Sequence, residues 1–153
     1  MSKSRFISFG RIAENRKARY NFEIKEKIQA GIILTGTEVK SLRLGKASIN
    51  ESYASDTNGK LFLINSNIPI YTAANNFNHD PTRQRELLVS KKERNKLLGL
   101  IKKEGVTLVP LSLYFNNKGL VKIDIGIAKG KKKEDKRESI KLRDWNRQKS
   151  RIM

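Results

Sequence analysis

Residues 129–153 set the first limit on how this chain can fold. They hold eleven Lys or Arg and four Asp or Glu, and only Ile140, Leu142, Trp145, Ile152 and Met153 offer large apolar surface. Fixing each backbone residue costs about 1–2 kcal/mol of entropy, and so few scattered apolar side chains do not offset that cost. The segment therefore does not fold alone. It has no Gly or Pro after Gly130 and carries Glu134 and Asp135 near its start, so it is competent to form a helix against an anionic surface. A tail that merely solubilises would need neither Trp145 nor the apolar pair Ile152 and Met153.

The rest of the chain shares the bias. The net charge is +18; the tail's eleven cations and four anions supply +7 and leave +11 on residues 1–128. A basic body with a basic tail suits a polyanion contacted over a wide area, because each neutralised phosphate releases condensed counterions. A membrane fits poorly: no segment joins a wide apolar face to a basic one, and no apolar run approaches the ~20 residues of a spanning helix. With 153 residues and 37% apolar composition, one domain with a small core is expected. The absence of cysteine excludes disulfides and thiolate metal sites and is compatible with a reducing compartment. The start, MSKSRFISFGR, lacks the apolar stretch of a signal peptide, so a cytoplasmic location is expected.

Between Arg19 and Ala128 short strands and turns dominate. Tyr20 to Ile28 alternates apolar and polar residues, as a half-buried strand does, and Gly31 opens a second apolar run, Ile32 to Leu34. Thr37 to Arg43 places Val39 and Leu42 at helical spacing before Gly45, which predicts a short helix. Asn58-Gly59 predicts a tight hairpin between Ser52–Ser55 and Leu61–Ile64. A polar loop follows over residues 75–86. Ser90 and Glu93 have capping-box spacing, with Leu97, Leu98 and Ile101 on one face of a helix that ends before Gly105. Thr107–Phe115 and Leu120–Ile127 form a last hairpin, in which Pro110 marks an edge or a bulge. The expected fold is mainly β: a small antiparallel barrel, similar to an oligonucleotide-binding (OB) fold, of about six strands with two or three helices. Residues 1–10 read as a flexible basic arm, 11–128 as the barrel and 129–153 as the tail.

Enzymatic signals are weak. His79 is the single histidine and sits in a turn-rich loop, where it and Asp80 are expected to structure the chain. Gly126 to Lys132 superficially matches a phosphate-binding loop, but three residues separate the glycines where four are needed. Lys132 also stands where the magnesium-binding Ser or Thr belongs. These glycines are expected to end a strand and release the tail. No catalytic residue, metal site or cofactor is expected; a nuclease built from scattered carboxylates and a divalent metal is the competing reading. Asn15, Arg16, Lys17, Arg19 and Tyr20 join three cations to an amide and an aromatic ring, and Lys40, Arg43 and Lys46 flank the short helix. Such mixtures neutralise phosphates and stack on unpaired bases, the usual way of holding structured RNA.

The motifs NRKAR, AGIILTGTEVKSLRLGKASI, FNHDPTRQRELL, TLVPLSLYF, IGIAKGKKKEDKR and IKLRDW, with the tyrosine of ESYA, occur in this order from Asn15 to the C-terminus. In these the chain resembles the small protein B family, the SsrA-binding proteins that partner transfer-messenger RNA in bacteria. The resemblance implies a non-enzymatic protein that binds the tRNA-like domain of that RNA as a monomer with one RNA. It also implies promotion of alanylation and delivery to stalled ribosomes for trans-translation, the tagging of unfinished peptides for proteolysis. The resemblance places Asn15, Arg16, Arg19, Lys40, Arg43, Tyr53, Arg83, Arg85 and Leu88 on or beside RNA-binding faces. Gln29 stands where many relatives have a glutamate, and Tyr20 where a histidine is common. Gly130, Lys131, Lys132, Asp135, Lys136, Arg137, Ile140, Lys141, Arg143, Trp145, Ile152 and Met153 correspond to a tail that enters the vacant mRNA channel of the small subunit, near the decoding centre, as a helix.

Overall fold

A computed structural model describes residues 9–74 and 77–130. Its elements in chain order are β1 (Gly10–Glu14), α1 (Arg16–Asn21), β2 (Phe22–Ile32), α2 (Gly36–Arg43), β3 (Tyr53–Thr57), β4 (Lys60–Ile64), β5 (Arg85–Leu88), α3 (Lys91–Glu104), β6 (Thr107–Phe115) and β7 (Val121–Gly130). Every pairing is antiparallel. The neighbours run β1-β6-β3-β4-β5-β2-β7, and a further β6–β7 pairing closes the sheet into a ring, with β1 attached to the second half of β6. Closure reduces the exposed edges that would otherwise template association, leaving β1 paired on one side. The expected mainly β architecture is present, with seven strands among the described residues where about six were expected. Among those residues no helix is long and apolar enough to cross a membrane.

Pleating explains the core. On β2, Ile28 and Ala30 turn inward opposite Ile125 and Ile123, while Lys27 and Gln29 turn out. Leu61, Leu63, Leu87, Leu108, Leu113 and Phe115 from the other strands complete the interior, and α3 contributes Leu97. The helix starts as its sequence says it should: Ser90 Oγ accepts from Glu93 N at 3.2 Å, and Gly105 closes it at φ 62°. The Asn58-Gly59 turn likewise takes positive φ at both positions, 52° and 80°, matching the twist of the β3–β4 hairpin.

Several local expectations are corrected. Gly10, expected in the flexible arm, opens β1 opposite Phe115; Arg85 and Glu86, expected in the polar loop, begin β5 opposite Leu63 and Phe62; and Lys129, expected in the tail, extends β7 opposite Glu23. Tyr20 and Asn21 belong to α1 rather than to a strand. The alternation there is overridden because Asn15 Oδ1 caps the Ala18 amide at 3.1 Å and Ala18 packs with Val109, Leu111 and Ala128 in a second small apolar cluster. Ile32 does not open a new segment, since β2 runs through Gly31 to Ile32. Gly126 does not end a strand. It lies within β7, where a Cβ would meet Leu111 Cδ1 at 3.1 Å and Ile24 Cγ2 at 3.2 Å, so its role is close packing under α1. Pro110 marks a bulge, not an edge: the β6–β7 register shifts between Pro110 and Ser112, and β6 is flanked on both sides.

Candidate nucleic-acid interface

Three outward regions collect the residues singled out in the sequence. The first is α1. Asn15 is buried at 3% exposure; besides capping α1, its Nδ2 donates to the carbonyls of Pro110 (2.9 Å) and Ile49 (3.3 Å), so it ties the helix to the sheet. That spends its hydrogen-bonding capacity on the fold. Arg16 projects into solvent with only a 3.7 Å approach to Glu14, and Lys17 pairs with Glu51 at 2.7 Å. Such exposed pairs are worth little and leave the cations exchangeable for phosphate. Arg19 rims a shallow groove with Phe22, Ile24, Lys27 and Leu111, and Tyr20 is half-buried.

The second region is the outer face of β5, β2 and β7. Gln29 stands opposite Asp124, and Gly31 stands between Leu88 and Lys122 in register. Gln29 Nε2 donates to the Tyr114 hydroxyl, which donates to Asp124 Oδ1 at 3.0 Å; Ser112 Oγ reaches Asp124 Oδ2 at 3.2 Å. Burial raises the Tyr114 pKa, and its hydrogen bond to Asp124 adds to the rise against the opposing contact from Gln29. Leu88 and Leu120 are more than half exposed beside this polar row. At Gly31 a Cβ would sit 3.5 Å from Leu88 Cβ and 3.7 Å from Lys122 Nζ, so the missing side chain leaves the face shallow.

The third region joins α2 to the 77–83 loop. Glu38, on α2, is wholly buried and holds two arginines: Arg85 Nε at 2.5 Å from Oε2, and Arg83 Nη2 at 2.6 Å from Oε1. It also accepts from the Thr35 amide at 2.8 Å. Burial alone would raise its pKa, but Arg83, the Thr35 amide and Arg85 together lower it from 4.5 to about 2. Arg85, at 0% exposure, further donates to Ser66 Oγ (2.8 Å) and the Pro81 carbonyl (3.1 Å). Its guanidinium supports the loop from below and does not face solvent. Arg83 does reach the surface.

His79 behaves as its loop context predicts. Nε2 donates to the Ile68 carbonyl at 2.7 Å, and Nδ1 lies 2.9 Å from Thr37 Oγ1. Asp80 Oδ1 accepts from the Thr82 amide and hydroxyl. Lys40 projects from α2 over the Tyr71 ring, 5.8 Å from its centroid, and Arg43 follows one turn on, exposed. Tyr53 stands apart on β3, opposite Ile64 and 44% exposed. Among the described residues no three His, Asp or Glu side chains are placed to hold a metal ion.

Sequence reading passed over Glu38, Tyr71, Phe77, Tyr114, Lys122 and Asp124. Glu38 sits in the helical run TEVK like any solvated acid, and its partners lie 45 and 47 residues away. Gly130 ends β7 opposite Phe22. The remaining tail residues singled out above, Lys131 to Met153, lie outside the described residues.

The family model described as SmpB protein matches residues 12–153. The chain belongs to the SmpB family. It is similar to the SsrA-binding protein of Allorhizobium ampelinum, with 61% identity over 93% of this chain and 90% of the relative. The SsrA-binding protein of Agrobacterium fabrum is 59% identical over 93% of this chain and 89% of its own. The fold is similar to that of a solved chain from a structure described as "tmRNA-SmpB: a journey to the center of the bacterial ribosome". The TM-score is 0.66, with 46% identity over 83% of this chain and 92% of that one.

Proposed function

We propose that this protein binds transfer-messenger RNA and works with it at the ribosome in trans-translation, making and breaking no covalent bond itself. The observation that carries this reading is similarity to SsrA-binding proteins along 93% of the chain. The basic outward regions supply the physical means: exchangeable cations on α1 and α2 for phosphates, and the Gln29–Tyr114–Asp124 row for base edges. A metal-dependent RNA-processing enzyme, the competing reading, has no support in the placement of acidic side chains among the described residues.

In finer detail, the body spanning residues 11–128 holds the tRNA-like domain as a monomer with one RNA, promotes its alanylation and delivers it to stalled ribosomes in the cytoplasm. Arg16, Lys17, Arg19, Tyr20, Gln29, Lys40, Arg43, Tyr53, Arg83 and Leu88 serve this contact, with Asn15 and Arg85 acting from beneath. The residues before β1, 1–8, form a flexible basic arm, while Gly10 belongs to the strand. Lys129 and Gly130 end β7, and residues 131–153 are unfolded when free and become helical in the empty mRNA channel, so that a stalled ribosome is told from one that still holds mRNA.

The test has two stages. Full-length protein incubated with transfer-messenger RNA and magnesium should bind it without cleavage; turnover abolished by chelator would establish the enzyme instead. Tagging on stalled ribosomes is then compared for Lys141→Pro and Lys141→Ala. Both remove one cation, but proline within a helix costs about 3 kcal/mol. Tagging should fall much further for proline at similar RNA affinity; equal tagging would mean the tail works as an extended polycation. A chain ending at Gly130, which keeps the pairing of Lys129 and Gly130 with β2, should retain RNA binding but fail to support tagging.

A further inference from the structure

Phe77 is 88% exposed, the most exposed of the large apolar side chains among the described residues. A lone exposed apolar residue needs no explanation. Phe77, however, lines a groove of about 590 Å³ together with Lys40, Asn78, His79 and Arg83, and Asn78, His79 and Arg83 are each held by hydrogen bonds. Asn78 accepts from the Tyr71 amide (3.1 Å) and donates to the Tyr71 carbonyl (2.8 Å), so its side chain closes the loop as a backbone pair would. His79 is pinned between Thr37 and Ile68. The position that carries Phe77 is thus anchored on its C-terminal side.

Of the two cations in the groove, Arg83 is held in place. Glu38 and the Ile33 carbonyl grip Arg83 through Nη2 at 2.6 and 3.2 Å, while its side chain stays one-third exposed. Lys40 lies over Tyr71, and among the described residues no carboxylate stands within ion-pair distance of it. The acid in the lining, Asp80, has Oδ1 turned onto Thr82. An aromatic face flanked by one clamped guanidinium and one ammonium without a carboxylate partner suits a base and its phosphate. The volume suits one nucleotide rather than a duplex.

We propose that the groove between α2 and the 77–83 loop holds one unpaired ribonucleotide, its base stacked on Phe77 and its phosphate between Lys40 and Arg83. The inference rests on the reading that the partner is RNA. It adds Phe77, to which no basic cluster in the sequence pointed, to Lys40 and Arg83 and gives the three one shared ligand. Glu38 is a positioning residue here: it fixes the angle of Arg83 without touching the ligand.

The nucleotide has two possible sources, the transfer-messenger RNA and ribosomal RNA, so full-length Phe77→Ala is assayed against each. One arm measures affinity for isolated transfer-messenger RNA; the other measures binding of the preformed protein–RNA complex to ribosomes. Losing one base–aromatic stack should weaken one arm about tenfold at unchanged salt slope, and Phe77→Tyr should restore it. Lys40→Ala should weaken the same arm and lower the salt slope by about one. RNA bearing 4-thiouridine should crosslink to the segment holding Phe77, and the crosslink should vanish in Phe77→Ala. Because the ring is solvent-exposed, the variant should melt with the parent, which separates loss of contact from loss of fold. Parent-like behaviour of Phe77→Ala in both arms would overturn the proposal while leaving the broader function intact. Failure of the parent protein to bind either RNA would instead overturn the functional reading on which it rests.

Discussion

Glu38 and Arg85 meet where solvent does not reach: Oε2 of one lies 2.5 Å from Nε of the other, and both side chains are at 0% exposure. The pair links α2 to the first residue of β5, and Arg83 joins it from the surface side. Removing the anion leaves two guanidinium groups facing each other, one of them fully buried. Breaking a buried pair by deleting one partner costs about 3–5 kcal/mol. Glu38→Gln should therefore lower the unfolding free energy read from urea titration by an amount of that order; a change below about 1 kcal/mol would show that solvent relieves the buried charge.

The same carboxylate sets an acid limit. Its pKa falls from 4.5 in the unfolded chain to about 2 in the folded one, so its contribution is complete above 4.5 and is lost as pH drops from there toward 2. At 1.36 kcal/mol per pKa unit this is about 3 kcal/mol. Melting temperature in the parent should fall across that window, and Glu38→Gln should lose much of the dependence. An unaltered acid limb in the variant would assign it to other carboxylates.

Gln29→Glu probes the outer face of β2. The Tyr114 hydroxyl proton goes to Asp124, so Tyr114 can only accept from residue 29, and an ionised glutamate has nothing to donate. The substitution should cost about 1 kcal/mol of stability and change RNA affinity by a similar amount. In a Tyr114→Phe background the stability cost should largely disappear. Persistence there would place the effect outside this hydrogen-bonded row.

Gly126→Ala tests the packing beneath α1. The added methyl would press on Leu111 and Ile24 at 3.1–3.2 Å, tighter than ordinary contact, so both side chains must shift. Overpacking of this kind costs about 1–3 kcal/mol. Thermal denaturation should show a loss that Leu111→Val partly relieves. A neutral substitution would mean the cluster has room that its geometry hides.

Much of this was written locally along the chain. The period of two in β2, the Asn58-Gly59 turn, the Ser90 cap and the Gly105 stop depend on neighbours within a few residues, so they were legible before any contact was known. Composition likewise pointed to a polyanionic partner, and the ordered motifs to the family. Local reading failed where distant groups decide the outcome. Tyr20 looks like the start of a strand until Asn15 caps α1 and Ala18 finds Val109 and Leu111. Arg85 and Arg83 look equally basic, yet closure of the ring buries one and leaves the other at the surface, because β5 points Arg85 inward toward Glu38. Sequence determined the two hairpins, where they turn and what sign of charge the chain presents, whereas β1, β5 and the pairings of β2 with β5 and β7 came from contacts between distant segments. Tertiary structure alone decided which of those charges support the fold and which meet solvent, since burial depends on residues brought together from 45 or more positions apart.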